Sequence, residues 1–166
     1  MEVSSNSLQD KKVLVVDDDN TAATMIQKIV ARQGVECEVA FNGTEGLSKI
    51  DSFQPHLVIL DQQMDDLNGL EVLRELRSQN NYVAVVFASG NSDHELIVDC
   101  LRQGADDFIT KPFNAEELAA RIYVRLRLVD LHKELAEANQ ALLQLAKHDS
   151  LTGLYNMRWA YDKVQQ

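Results

Sequence analysis

The sequence contains little cysteine, no long hydrophobic run and no excess of basic residues. Its two cysteines among 166 residues, Cys37 and Cys100, lie in apolar segments and at no spacing typical of metal ligands. We therefore expect two reduced, mostly buried thiols. No apolar run approaches the roughly 20 residues of a membrane span, and no charged segment precedes an apolar core near Met1. These absences predict a cytoplasmic protein without a membrane partner.

The lack of an excess of basic residues limits which binding partners we expect. The chain has 16 Lys and Arg against 26 Asp and Glu, a net charge of −10. Nucleic-acid backbones and anionic membranes need a net basic face, so we expect no nucleic-acid partner. Residues 1–113 carry 9 basic and 19 acidic residues, whereas residues 114–166 carry 7 of each. The excess of acidic residues therefore belongs to an N-terminal unit, and the rest of the chain has no net charge.

Short apolar runs alternate with helical patterns over the first two thirds of the chain. After a polar segment, residues 1–10, which we expect to be flexible, apolar runs occupy residues 13–16, 57–60 and 83–88, with weaker candidates at 39–41 and 108–109. Such β-branched runs fit strands buried on both faces. Five repeats of this alternation predict an α/β domain with a parallel sheet. The intervening helices should bury Ile26, Ile29, Val30, Leu70, Leu73, Leu76, Leu96, Ile97, Cys100 and Leu101, and end near Gly34 and Gly104.

The segment after residue 113 has neither glycine nor proline until residue 153. This predicts one helix of about 35 residues, with Asn114 as N-cap and Glu117 as its capping-box partner. Apolar residues at alternating spacings of three and four predict a dimeric coiled-coil stalk over residues 128–148, the alternative being an amphipathic helix lying on its own domain. The chain stops inside a helical pattern, which favours truncation over a natural end. The predicted stalk residues are Leu128, Leu131, Leu135, Ala138, Leu142 and Leu145.

Polar residues follow the predicted strands, where ligands bind in an open parallel sheet. Converging carboxylates repel one another, and Mg²⁺ relieves that repulsion. A carboxylate held by such a cation and flanked by a lysine suits the acceptance of a phosphoryl group. The alternative is that each aspartate only caps a helix or solvates a loop. The residues are Asp17, Asp18 and Asp19 after the first strand, Asp61 after the third, Ser89 after the fourth and Lys111 after the fifth.

The motifs KVLVVDDDN, FNGTEGL, LVILDQQMDDLNGLEVL, VVFASG and GADDFITKPF carry a family resemblance. Residues 12–113 resemble the receiver domain of two-component response regulators. The resemblance implies a five-stranded, (βα)5 flavodoxin-like receiver over residues 11–127, with its last helix extended into the stalk. It also implies a partner, either a sensor histidine kinase or a histidine phosphotransfer protein, whose phosphoryl group the receiver itself transfers to its own aspartate.

The same resemblance implies the site residues. Asp61 is the phosphoacceptor, Asp18 and Asp61 bind Mg²⁺ directly, Asp17 binds it through water, and the backbone carbonyl of Gln63 is a further ligand. Lys111 contacts the phosphoryl group, Ser89 is the switch hydroxyl and Phe108 is the switch aromatic, which is expected to turn inward on phosphorylation. Asp19 matches no ligand position, and a helix-entry role suits it better. Asp65 replaces the usual proline and Gly90 the usual alanine; Asp65 and Asp66 add negative charge that could alter donor choice or phosphoryl lifetime.

A second resemblance lies in HDSLTGLYNMRWAYDKV near the end of the chain. It is similar to the opening of GGDEF-type diguanylate cyclase domains, D-x-L-T-G-L-x-N-R, with Met157 where the first arginine is usual. Residues 149–166 are then the start of a truncated cyclase domain, although a capped helix start is the alternative. The GGDEF loop itself is absent, so cyclic di-GMP synthesis is expected of a longer parent protein and not of this chain.

Two rival interpretations stay open at this point. Asp17 as nucleophile, Asp19 as general acid and Lys111 would fit a haloacid-dehalogenase-like phosphatase. That family needs a further strand ending in an acidic pair after the lysine, and it would leave Asp61 without a role. The other rival is a receiver that is never phosphorylated and serves only as a dimerisation module, which Asp65 and Gly90 keep open.

Overall fold

Five parallel strands and five helices alternate along the chain in the computed structural model, which describes residues 8–90 and 94–147. The strands form one sheet in the order β2-β1-β3-β4-β5, which confirms the predicted (βα)5 fold. The elements are β1 Lys12–Val16, α1 Asn20–Ala31, β2 Glu36–Ala40, α2 Gly43–Phe53, β3 Leu57–Asp61, α3 Gly69–Ser78, β4 Ala84–Ser89, α4 His94–Arg102, β5 Asp107–Thr110 and α5 Ala115–Lys147.

Burial of the strands follows their place in the sheet. Every residue of β3 and β4 is buried, as are the last four of β1, because these three strands have a neighbour on each side and helices over both faces. The two weaker strand predictions are the edge strands, which are less buried: β2 buries only Ala40, and β5 buries only Phe108 and Ile109. Strand β2 begins at Glu36, earlier than predicted, and Phe41 lies beyond its end with an exposed side chain.

Most predicted helix faces are confirmed, with local corrections. The chain takes a left-handed conformation at Gly34 and at Gly104, just after α1 and α4, as predicted for helix stops. Leu101 of α4 was predicted on the buried face but is exposed, while Cys100 beside it is buried. Leu8 lies in the segment expected to be flexible, yet its apolar side chain is buried and its carbonyl oxygen accepts a hydrogen bond from the Lys11 amide. Both cysteines are free thiols, Cys37 being half-buried.

Helix α5 is continuous over 33 residues. Its residues belong to two structural units, the first ending at Arg127 and the second beginning at Leu128. Asn114 is the N-cap of α5 as predicted, because its side chain accepts from the Glu116 amide. Its predicted box partner is wrong, because the Glu117 carboxylate binds Arg121 four residues on. No helix among the described residues is long and apolar enough to span a membrane. In the first unit the buried residues of α5 are Leu118, Ile122 and Leu126.

Several predictions lie outside the described residues. They are the cyclase-like segment 149–166, the last residue of the predicted stalk, His148, and residues 1–7 of the predicted flexible N-terminus.

Candidate functional site

Three carboxylates meet at the carboxyl edge of the sheet. Asp17 and Asp18 directly follow β1, and Asp61 is the last residue of β3. Because β1 and β3 are adjacent parallel strands, their ends lie side by side, and one carboxylate oxygen from each aspartate lies within 4.8 Å of the other two. Asp17 is 1% exposed and Asp61 8%, whereas Asp18 is exposed. The structure therefore brings together the acidic residues expected to converge.

Lys111 supplies the positive charge of this cluster. Its Nζ donates to Oδ2 of Asp17 at 2.6 Å and to Oδ1 of Asp61 at 3.2 Å. The lysine directly follows β5, and its amide donates to the carbonyl of Ser89 at the end of β4 at 2.7 Å. Burial alone would lower the pKa of Lys111, but its hydrogen bonds and ion pairs with Asp17 and Asp61 outweigh that effect and raise the pKa. Lys111 therefore stays protonated.

The surroundings of Asp61 destabilise the ionised form of its carboxyl group. Burial raises the pKa of its carboxyl group to about 6, and the charges of Asp17 and Asp18 add to that rise while Lys111 opposes it. Three carboxylates thus share one ammonium group. A hard divalent cation prefers carboxylate oxygens and would supply the missing positive charge, so the donor set fits Mg²⁺.

Asp19 has a different task from the aspartates before it. Its Oδ1 accepts from the amides of Thr21 at 2.8 Å and Ala22 at 3.3 Å, so it is the N-cap of α1. Its own amide donates to Oδ1 of Asp17. The helix-entry role expected for Asp19 is confirmed. The general-acid role that a dehalogenase-like phosphatase requires is correspondingly disfavoured, and no strand follows β5 among the described residues.

The predicted switch residues lie on the two strands beside the cluster. Ser89 is the last residue of β4 and is buried, and Phe108 lies in β5 with its side chain already inside the hydrophobic core. Gln63 lies two residues beyond Asp61 and is exposed. The roles of all three remain predictions, because their positions alone assign no chemistry.

The sequence did not reveal the importance of two residues between β3 and α3: Asp66, in the loop of residues 62–68, and Gly69, the first residue of α3. A Cβ atom on Gly69 would lie 2.5 Å from the carbonyl oxygen of Asp61 and 2.6 Å from the Phe87 ring, so only glycine fits there. The Asp66 carboxylate accepts hydrogen bonds from the N-terminus of α2. We expected Asp66 to add negative charge to the loop, and the structure shows that two helix amides bind this charge. Nothing in its neighbours along the chain signals this contact.

Comparison with known proteins identifies the family. The model of the response regulator receiver domain matches residues 13–123, and the chain belongs to this family. It is 38% identical over 120 residues to the DNA-binding response regulator MtrA of Mycobacterium tuberculosis, covering 72% of this chain and 52% of that one. It is 32% identical over 131 residues to the regulatory protein AtoC of Escherichia coli, covering 79% and 28%. The receiver domain of Francisella response regulator 1452 superposes with a TM-score of 0.68 at 34% identity, covering 71% and 98%.

Family membership establishes the coarse function and leaves the output open. Receiver domains interact with histidine kinases and bind Mg²⁺ at an acidic pocket of the kind formed here by Asp17, Asp18 and Asp61. The chain spans about half the length of the MtrA relatives that it matches. The names of these relatives describe DNA-binding regulators, so the prediction of no nucleic-acid partner has no support from the comparisons. The comparisons also show neither a coiled coil nor a cyclase domain.

Proposed function

We propose that this chain is a phosphoacceptor module that takes a phosphoryl group on Asp61 from a sensor histidine kinase or a histidine phosphotransfer protein. The observation that carries the proposal is the buried Asp61 carboxylate at the end of β3, within 3.2 Å of the Lys111 ammonium group and beside two further carboxylates. Direct ligation of Mg²⁺ by Asp18, Asp61 and the Gln63 carbonyl, and ligation by Asp17 through water, belong to the same proposal.

The chemistry follows from the positions of these groups. An Asp61 carboxylate oxygen attacks phosphorus in line, the bond from phosphorus to the donor imidazole nitrogen breaks, and the electron pair leaves with that nitrogen. A pKa of about 6 keeps Asp61 ionised, and therefore nucleophilic, at neutral pH. Bound Mg²⁺ would neutralise charge on the carboxylates and on the transferring phosphoryl oxygens. Lys111 adds a second positive charge, with its Nζ 3.2 Å from Oδ1 of Asp61.

The response is proposed to start at Ser89 and Phe108. The Ser89 hydroxyl, at the end of the strand next to β3, would bind a phosphoryl oxygen on Asp61, and the burial of Phe108 would be retained. This would favour one of two packings of α4, β5 and α5 without changing the fold. A receiver that acts without phosphorylation, as a dimerisation module, is the alternative.

We further propose that the longer protein carries a diguanylate cyclase output joined through a dimeric stalk. Two observations support it: the resemblance of residues 149–166 to the opening of a cyclase domain, and the exposure of the seam leucines in a single copy of the chain. Five of them are 38–74% exposed, and a second helix would cover them. They are Leu128, Leu131, Leu135, Leu142 and Leu145. A DNA-binding output is the second candidate, supported by the similarity to MtrA.

Intact-mass measurement tests the acceptor. The protein is incubated with Mg²⁺ and acetyl phosphate beside an Asp61→Asn variant, and wild type alone should gain one phosphoryl group. Ser89→Ala should keep the uptake and lose part of the structural response, measured by hydrogen exchange in α4. If neither acetyl phosphate nor a histidine phosphotransfer protein adds mass to the wild type, the phosphoacceptor proposal is wrong.

Sedimentation velocity tests the stalk. Leu135→Asp and Leu142→Asp should each convert a dimer to monomers, because each places a charge in the seam. Leu143→Asp is the matched control, since Leu143 is equally exposed but lies outside the seam and its replacement should leave the dimer intact. A wild-type chain that is monomeric at high concentration would overturn the stalk proposal.

A further inference from the structure

Asp66 ties the loop after the acceptor strand to another helix. Its Oδ1 accepts from the Gly43 amide at 2.9 Å, and its Oδ2 accepts from the amide and the hydroxyl of Thr44, each at 2.8 Å. Gly43 and Thr44 are the first two residues of α2, whose third amide is capped by Asn42. These hydrogen bonds from the Thr44 and Gly43 amides hold the pKa of Asp66 well below its usual range.

The loop is held at two points, one on each side of Gln63. Near the acceptor, the Gly69 amide donates to the Gln62 carbonyl at 3.0 Å. Near α2, a Cβ on Gly43 would lie 2.9 Å from the carbonyl oxygen of Leu67, so the loop backbone lies directly against the helix. The segment between these contacts is short, and its backbone position therefore depends on both.

Helix α2 is itself seated on the strand that precedes the acidic pair. A Cβ on Gly46 would lie 2.9 Å from the Val16 side chain, and Val16 is the residue before Asp17. A continuous path of contacts thus leads from the end of β1, through α2 and Asp66, to the loop that begins after Asp61. The loop is therefore connected to the acidic pair in two ways, through this path and through the direct pairing of β3 with β1.

We propose that Asp66 is a positioning residue for the cation site, holding the backbone of Gln63 beside Asp61 and the acidic pair. This inference rests on the proposed function, in which the Gln63 carbonyl is a ligand. Loss of the Asp66 carboxylate frees the loop from α2 and weakens Mg²⁺ binding. Saturating Mg²⁺ restores the rate of phosphoryl uptake, because the acceptor and Lys111 are untouched.

The test compares Asp66→Ala with Asp65→Ala. Asp65 lies next to Asp66, is exposed, and carries the same charge without such a contact to α2. Comparing the two variants therefore separates the loss of the α2 contact from the loss of one negative charge in the loop. Isothermal titration with Mg²⁺ should show affinity about 10-fold lower for Asp66→Ala, the range seen when groups that orient a metal ligand are lost. Asp65→Ala should change it by about twofold or less, since exposed charges are screened.

Hydrogen exchange supplies a readout that does not depend on phosphorylation. The amides of Gly43 and Thr44, which donate to Asp66, and the amide of Gly69, which closes the loop on Gln62, should exchange faster in Asp66→Ala and at the wild-type rate in Asp65→Ala. If Asp66→Ala does not fold, Thr44→Val removes one of the three donors and should shift both measurements in the same direction. The Asp66→Asn variant, which keeps one acceptor oxygen, should fall between wild type and Asp66→Ala.

The outcomes separate this inference from the proposed function. Equal Mg²⁺ affinity in Asp66→Ala and Asp65→Ala overturns the positioning role, whether or not the loop exchanges faster. A wild type that binds Mg²⁺ but takes no phosphoryl group overturns the proposed function, while the affinity difference between the two variants still decides the role of Asp66.

Discussion

Replacing Asp61 by asparagine is expected to stabilise the metal-free protein at neutral pH. Burial raises the pKa of the Asp61 carboxyl group from 3.8 to about 6 in the folded state. Each pKa unit corresponds to about 1.4 kcal/mol, so an ionised Asp61 at pH 7 lowers the free energy of unfolding by about 3 kcal/mol. Asparagine has a similar shape and no charge to desolvate. The variant loses the ion pair between Lys111 and Asp61. Lys111 should keep its 2.6 Å contact with Asp17, so the stability lost with that ion pair should be small.

The pH dependence of this gain has a definite sign. Between about pH 4 and pH 6 the folded state holds a proton on Asp61 that the unfolded state has released. The free energy of unfolding of the wild type therefore falls as the pH rises through this window, and above it the ionisation of Asp61 causes no further loss. The Asp61→Asn variant lacks this component. Its advantage over wild type should be about 0.6 kcal/mol at pH 4 and about 3 kcal/mol at pH 7.

Urea denaturation in the presence of EDTA at pH 4, 5, 6 and 7 measures the difference. All other titrating groups are common to both proteins, so their contributions to the difference in the free energy of unfolding largely cancel. Asp65→Asn removes one exposed carboxylate and should shift stability by about 0.5 kcal/mol or less, with no trend across this range. An advantage of Asp61→Asn that is the same at pH 4 and pH 7, or a variant less stable than wild type at pH 7, would refute the argument from desolvation.

Two further predictions concern the cation and the opposite edge of the sheet. The apparent Mg²⁺ affinity should fall about tenfold for each pH unit below about 6, because the cation must displace the proton on Asp61. Equal affinities at pH 5 and pH 7 in titration calorimetry would contradict this prediction. Arg77→Met should lower the free energy of unfolding by about 2–3 kcal/mol in urea denaturation, because Arg77 donates to the Gly104 carbonyl and binds Asp106 at 3.0 Å in a largely buried network. Arg74→Met, which loses an exposed contact, is the control, and equal effects of the two would count against the network.

The alternation of strands and helices was predictable because each element has a local pattern. The all-apolar runs before Asp17 and Asp61 correctly indicated buried parallel strands. The role of Asp19 as a helix cap was also predictable, because its hydrogen-bond partners lie two and three residues ahead. Convergence of the carboxylates followed from the rule that adjacent parallel strands end at one edge of a sheet.

Contacts between distant segments were not predictable in this way. Asp66 binds residues 22 and 23 positions earlier in the chain, and no spacing in the sequence indicates that pairing. The predicted box at Glu117 failed because Arg121, one helical turn ahead, competes for the same carboxylate. Leu101 fits the helical spacing of the apolar residues of α4, yet its side chain is exposed. That spacing does not indicate how much of the helix face the rest of the fold covers.

The sequence by itself determined which side chains stand at the ends of the strands, because that depends only on where each apolar run stops. The tertiary structure decided what those side chains experience. Strand β3 lies at the centre of the sheet, between β1 and β4, and this order buries Asp61, brings Asp17 and Lys111 against it and raises its pKa. Desolvation and ion pairing depend on everything that surrounds a group, and those surroundings come from segments up to 94 residues apart.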